Sequence, residues 1–170
     1  SCQKDSSESN DYTSETATHS EDQNRFSSEV DAVANDANDV LEVTSGFAGR
    51  GQGIQVICDA TVVVDTVSNP RTITITYNGT NCLGTRTRTG VIVISMAQNV
   101  RWKNAGAQLN VTFQNFKVTR VSDNKSITIN GTQTYTNVSG GLLVNLPILN
   151  TITHTITSSN MSVTFDNNTQ

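Results

Sequence analysis

The chain is poor in the residues that usually build a thick core or a reaction centre. Of its 170 residues, 5% are aromatic and 15% charged, with two prolines, two histidines, three cysteines and one tryptophan. No run of about 18 apolar residues occurs, so no helix of this sequence spans a membrane. No G-x-S-x-G is present to set a serine nucleophile on a strained turn. The two histidines, His19 and His154, stand outside any metal-ligand spacing. The glycines Gly46, Gly49, Gly51 and Gly53 follow a helical pattern and precede a strand, the reverse of a phosphate loop. Around residues 34–40 carboxylates and amides alternate, but the glycine and terminal glutamate of a calcium loop are missing. The body offers only Asp59, Asp65, Asp123 and Asp166 as paired carboxylates for glycoside cleavage, three of them at strand ends or turns. These absences lead to a reading without catalysis, without metal and without cofactor.

What is abundant is threonine and asparagine, 25 and 19 residues. Threonine suits a pleated, half-exposed surface and asparagine suits turns, so the mixture predicts exposed β-structure. Charge is divided unevenly. Residues 1–45 carry two bases against eleven acids, a net of −9, and residues 46–170 carry nine bases against four acids, a net of +5. Such asymmetry usually concerns solubility or a partner, although an acidic arm can also dock on its own basic body.

Residues 1–19 hold almost nothing apolar and read as a disordered tether. Ser20 to Gln23 has the form of a capping box, and Phe26, Val30, Val33, Ala37, Val40 and Leu41 then line one helical face. The spacing predicts one amphipathic helix over residues 20–45, with Gly46 as its left-handed stop. From Ile54 the apolar period changes to 2, and residues 54–170 read as an antiparallel β domain.

"IQVICDATVVVD", "RTITITYN", "RTGVIVISM", "QLNVTFQNFKVTRV", "SITINGTQTYTNV", "TITHTIT" and "MSVTF" supply about seven strands. Apolar parity switches between Phe113 and Phe116, which predicts a bulge near Asn115. Short strands with tight links make a meander, apolar on one face and threonine-rich on the other. The expected fold is α+β and mainly β: a curved antiparallel meander packed on the N-terminal helix, with a β-sandwich as the alternative. The closing "FDNNTQ" reads like a turn, as if the chain were clipped from a longer precursor and a last strand were missing.

Cys58 and Cys82 flank the first hairpin. With a loop centred on Asn69-Pro70, Val64 meets Ile75 and Val62 meets Tyr77, and a bulge at Asn78-Gly79 would bring Cys82 opposite an inward Cys58 as a disulfide. Cys2 is then the odd cysteine, which in an exported protein points to modification. Among other constellations, Arg86, Arg88, Arg101 and Lys103 with Trp102 would be the basic-aromatic set of a nucleic-acid site, but the sequence pI near 5.0 argues against that partner. Arg101-Trp102-Lys103 remains as an exposed platform for a glycan. Rows of threonine would suit ice only on flat, regular arrays, whereas short sheets twist.

Ser1-Cys2 resembles the end of a bacterial lipobox, and "CQKDSSES" is similar to the mature start of Bacteroidota lipoproteins, where lysine and acids after the cysteine direct surface export. The stretches "ICDATVVVDTVSNPRTITITYNGTNC", "RTRTGVIVISM", "LNVTFQNFKV" and "INGTQTYTN" likewise resemble a family of uncharacterised Bacteroidota surface lipoproteins with a threonine-rich β-meander. The resemblance implies lipid attachment at Cys2, export to the outer membrane and display at the cell surface. The role expected there is structural or adhesive. The alternative is a glycan- or small-ligand-binding module using the concave sheet face or the Trp102 region.

Overall fold

The computed structural model of the protein describes residues 12–44 and 57–166. They form one helix, α1 (Tyr12–Val43), followed by β1 (Ala60–Asp65), β2 (Arg71–Thr80), β3 (Arg86–Met96), β4 (Ala107–Arg120) and β5 (Ser126–Asn137). A short 3-10 turn (Leu143–Asn145) and a one-turn helix, α2 (Leu146–Leu149), lead into β6 (His154–Asp166). The strands make a single open antiparallel sheet in the order β1-β2-β3-β4-β5-β6, which is the meander and not the sandwich.

Alternation in β2 is as the sequence predicts. Ile73, Ile75 and Tyr77 are buried while Thr72, Thr74 and Thr76 face the other way. Ile92 and Ile94 of β3, Phe113 and Phe116 of β4, and Ile127 and Ile129 of β5 share the inner side, together with Val30, Val33, Ala37, Val40 and Leu41 of α1. Val33 and Val40 are buried to within 1% of their surface, so the helical stripe is spent on this core.

The helix begins at Tyr12, so residues 12–19 belong to it and not to a disordered tether. Ser20 to Gln23 lies inside the helix, and its capping-box spacing is accidental in a stretch rich in serine and acid. Glu21, well inside the helix, is drawn to Arg120 at the end of β4 and to Lys125 in the turn after it, at 3.8 and 3.6 Å. At the other end Thr44 closes the helix, its Oγ1 donating to Val40 O at 2.6 Å. Gly46 and the strand expected from Ile54 lie outside the described residues, and residues 57–59 form a turn ahead of β1.

The first hairpin differs in register. Val64 pairs with Ile73 and Val62 with Ile75, two positions from the expected partners. The cause is Asp65, whose Oδ1 accepts from the backbone N of Val67 and Ser68 at 2.9 and 3.0 Å and starts the turn earlier. A slip of two keeps the same faces inward.

Asn78 and Gly79 stay in an unbroken ladder opposite Thr89 and Arg88 and form no bulge. The disulfide forms nonetheless, with Cys58 and Cys82 both in turns and their Cα atoms 5.3 Å apart. Cys58 is exposed and does not point inward.

Two bulges shape the later strands. Between Phe113 and Phe116 the ladder shifts, Asn115 takes φ 48° and its N donates to Asn130 Oδ1 at 2.7 Å. The bulge lets both phenylalanines face the core, and Phe116 meets the Tyr77 ring edge-on at 5.1 Å. A second bulge, at Asn160 with φ 52° opposite Gly131, absorbs the turn signal at residues 158–160. The two expected strands "TITHTIT" and "MSVTF" are therefore one, and among the described residues the sheet has six strands where about seven were expected. A Cβ on Gly131 would fall 2.5 Å from Asn160 O, so the crossing demands glycine.

Candidate functional site

The described residues offer three places for function: the seam between helix and sheet, the Trp102 region, and the outer face of the sheet.

At the seam, parity in β3 carries Arg86 and Arg88 inward with Ile92 and Ile94. Asp36 lies on α1 beside the apolar stripe, and Asp59 sits in the turn before β1. Arg88 grips Asp59 with two parallel bonds, Nε to Oδ2 at 2.7 Å and Nη2 to Oδ1 at 2.6 Å, and its Nη1 donates to Asp36 Oδ2 at 2.8 Å. Tyr77 OH donates to the same Asp36 oxygen at 2.9 Å, and the guanidinium lies 4.6 Å over the Tyr77 ring.

Burial pulls the Arg88 pKa down, but the hydrogen bond to Asp59 and the charges of Asp36, Tyr77 and Asp59 together hold it above its ordinary value. Tyr77 is raised by burial and by Asp36, so it stays a donor at any ordinary pH. Farther along, Arg86 Nε donates to Glu29 Oε1 at 2.6 Å. The acidic helix thus docks on its own basic sheet, and these arginines are taken by α1. The basic-aromatic set considered for nucleic acid is divided accordingly.

Arg86 and Arg120 with Glu21 and Glu29 also line a cleft of about 540 Å³ between α1 and the sheet. Bases and acids meet across it, through Arg86–Glu29 and Arg120–Glu21, so it presents no single sign of charge to a ligand.

Trp102 is 3% exposed, which corrects the expectation of a stacking platform there. It belongs to the loop between β3 and β4, and that loop is pinned from two sides. Asn137, wholly buried in β5, donates from Nδ2 to Trp102 O at 2.8 Å and to Gly141 O at 2.9 Å. Arg71 Nη2 reaches Ala97 O and Val100 O. The flanking Arg101 and Lys103 are exposed, but without the indole they form no platform.

Behind Trp102, a cavity of about 120 Å³ lies between Asn35 and Asn38 of α1 and Tyr135, His154 and Leu143. His154 packs its ring 5.1 Å from Trp102, and its Nε2 is buried without a hydrogen-bond partner among the described residues. Its position is that of a structural histidine on the inward row, as its parity predicts.

Burial pushes the His154 pKa below 6.5, opposed in part by Glu42. Its neutral form is therefore the one the fold holds. The stability from that burial is complete above 6.5 and is lost as pH falls through that value toward the lower folded pKa. Melting of the protein against His154→Asn should show a gap in pH dependence confined to that window. Parallel profiles would remove His154 as its source.

The outer face is different in kind. Two rows cross it from β2 to β6: Thr74, Val93, Thr112, Thr132 and Ser159, then Thr72, Ser95, Asn110, Thr134 and Thr157. No charged side chain interrupts them. Hydroxyls and amides bond along the rows, Thr112 Oγ1 to Thr132 Oγ1 at 3.1 Å and Thr134 Oγ1 to Asn110 Oδ1 at 2.7 Å.

Among the described residues no group of histidine, cysteine and acid side chains is arranged to hold a metal, and no helix is long and apolar enough to cross a membrane. Cys2 lies outside the described residues. No known protein family, curated protein or solved structure matches the chain.

Proposed function

We propose that the chain is a displayed, non-catalytic module: an outer-membrane surface lipoprotein, held by acyl chains on Cys2, with an adhesive or structural role. The observation that carries the reading is the division of labour between the two faces of the sheet. The inner face of β2 to β5 is packed against α1, and the arginines nearest the seam are bound to α1 carboxylates. The outer face is left with two rows of hydroxyls and amides, interrupted only by Val93 and free of charge, which suits contact with a polar surface, a glycan or a protein. A triacylated cysteine is a strong anchor, since each buried methylene contributes about 0.8 kcal/mol.

Mass spectrometry of the native protein tests the anchor, with an acylated N-terminal Cys2 expected and a free Cys2 thiol ending it. Cells displaying Thr74→Glu together with Thr132→Glu should lose attachment while the purified domain keeps its melting temperature. Unchanged attachment would remove the outer face from the reading.

A second reading is kept for one reason, the unpartnered Nε2 of His154 at the 120 Å³ cavity. A small polar ligand held between α1 and the sheet would satisfy it. A flat titration of the His154 ring signals with small alcohols and amides by NMR would dismiss this option.

A further inference from the structure

The link between β5 and β6, residues 138–153, holds sixteen residues and not one charged side chain. Four of its large apolar side chains face solvent: Leu143 is 42% exposed, Leu146 42%, Ile148 80% and Leu149 46%. None of the α2 residues is buried, so the turn projects from the fold instead of lining a groove. A contiguous apolar cluster of this kind marks a contact surface.

The turn is firmly built. Gly141 N donates to Lys103 O at 2.8 Å, and Asn137 holds the carbonyls of Trp102 and Gly141 together. Leu149 folds over Gly141 (φ 90°), where a Cβ would collide with Leu149 Cδ1. Backbone donors are met within the turn, Asn145 N by Leu142 O at 2.8 Å, Leu146 N by Leu143 O, and Asn150 N by Leu146 O at 2.9 Å. Leu143 N is taken by Glu42 Oε1 of α1 at 2.8 Å, and Pro147 has no donor to satisfy. Entry into hydrocarbon demands such self-sufficiency, because lipid tails offer no partner to a bare amide. The loop to which Gly141 is fastened carries Arg101 and Lys103, both exposed. An apolar tip with basic shoulders is complementary to a bilayer, its apolar side chains among the acyl chains and its cations at anionic head groups.

We propose that the 138–153 link is a lipid-docking tip, in which Leu146, Ile148 and Leu149 dip into the surface of an anionic phospholipid bilayer and Arg101 and Lys103 meet its head groups. The contact is shallow, since α2 is a single turn and a spanning helix needs about 20 residues. A pocket on a protein partner is the competing occupant. It would require neither an uncharged run of sixteen residues nor a turn that bonds its own backbone. The tip stands where α1 ends, as the bond from Leu143 N to Glu42 shows, and it does not depend on acylation of Cys2.

Co-sedimentation of the full chain, carrying Cys2→Ser to keep acyl chains out of the measurement, with vesicles of equal parts phosphatidylcholine and phosphatidylglycerol tests the proposal. Binding is expected, weakened about tenfold or more by Ile148→Asp and about fivefold by Lys103→Gln. Leu83→Asp, at the opposite end of the sheet and 82% exposed, should leave binding unchanged. In the same Cys2→Ser background, an environment-sensitive fluorophore on Ile148→Cys should shift to the blue on the vesicles, and one on Ser122→Cys in the β4–β5 turn should not. A chain that ignores the vesicles overturns the proposal and leaves the patch to a protein partner. Binding untouched by Ile148→Asp overturns it as well. Should Ile148→Asp fail to fold, the fluorophore decides: a spectrum at Ile148→Cys indifferent to vesicles places the turn outside the lipid and ends the proposal.

Discussion

Replacing Arg88 with methionine is expected to lower the folding free energy by about 3–5 kcal/mol, the largest loss from any single side chain in the seam. The reason lies in what is left behind. The Asp59 side chain is 0% exposed and takes both its strong bonds from Arg88, and Asp36 shares the same guanidinium. Without it two carboxylates face each other in an apolar setting with only Tyr77 OH as a donor from the original cluster. A small domain is stable by about 5–15 kcal/mol, so the variant should sit near the edge of unfolding.

Asp36→Asn should cost much less, because Asp36 is 23% exposed and its loss removes one of two negative charges from around one positive charge. Combining Asp59→Asn with Arg88→Met should restore part of the loss, since the orphaned buried charge is then gone. Urea titration of the four proteins measures all of this. A loss below about 1 kcal/mol for Arg88→Met would show the network to be no more than a surface ion pair.

The second large effect is expected at the disulfide. Cys58 and Cys82 are 24 positions apart, and closing a loop of that length in the unfolded chain corresponds to about 3.5 kcal/mol. Both cysteines lie in turns at the same end of the β1–β2 hairpin, so the bond ties down β1, the short edge strand. The double variant Cys58→Ser with Cys82→Ser should therefore unfold at lower urea. The native protein under reductant should move to the same midpoint, and hydrogen exchange should rise first in β1. A midpoint indifferent to reductant would sink this account.

Much of the architecture was open to reading from alternation and spacing. β2 declares its faces through Ile73, Ile75 and Tyr77, and the parity break between Phe113 and Phe116 marks the Asn115 bulge because both rings must reach one core. Other features depended on bonds between distant residues. The hairpin register was decided by one carboxylate of Asp65 turning back on its own loop. The union of two strands into β6 required Gly131 on the neighbouring strand to admit the left-handed Asn160. Trp102 reads as an exposed platform because it is large and amphipathic and stands between Arg101 and Lys103, and the side chain that holds its backbone carbonyl, Asn137, is 35 positions away.

The seam itself carried an unused signal. Arg88 shares parity with Ile92 and Ile94, which puts it on the buried face of its strand. A charged residue on a buried row demands a partner, and Asp36 beside the helical stripe was the nearest supply.

The order of elements along the chain has a consequence for how the protein is made. Every ladder joins strands that follow one another in sequence, so each hairpin can close soon after its second strand is synthesised. The helix is the exception: its bonds to Arg88, Arg86 and Leu143 span 52, 57 and 101 positions. It precedes the sheet in the chain and finds its binding face last, after the long loop closures that contact order makes slow. Until β3 has emerged, Val30, Val33, Val40 and Leu41 face water with no sheet to cover them. The nascent chain is most vulnerable to misassociation during this interval.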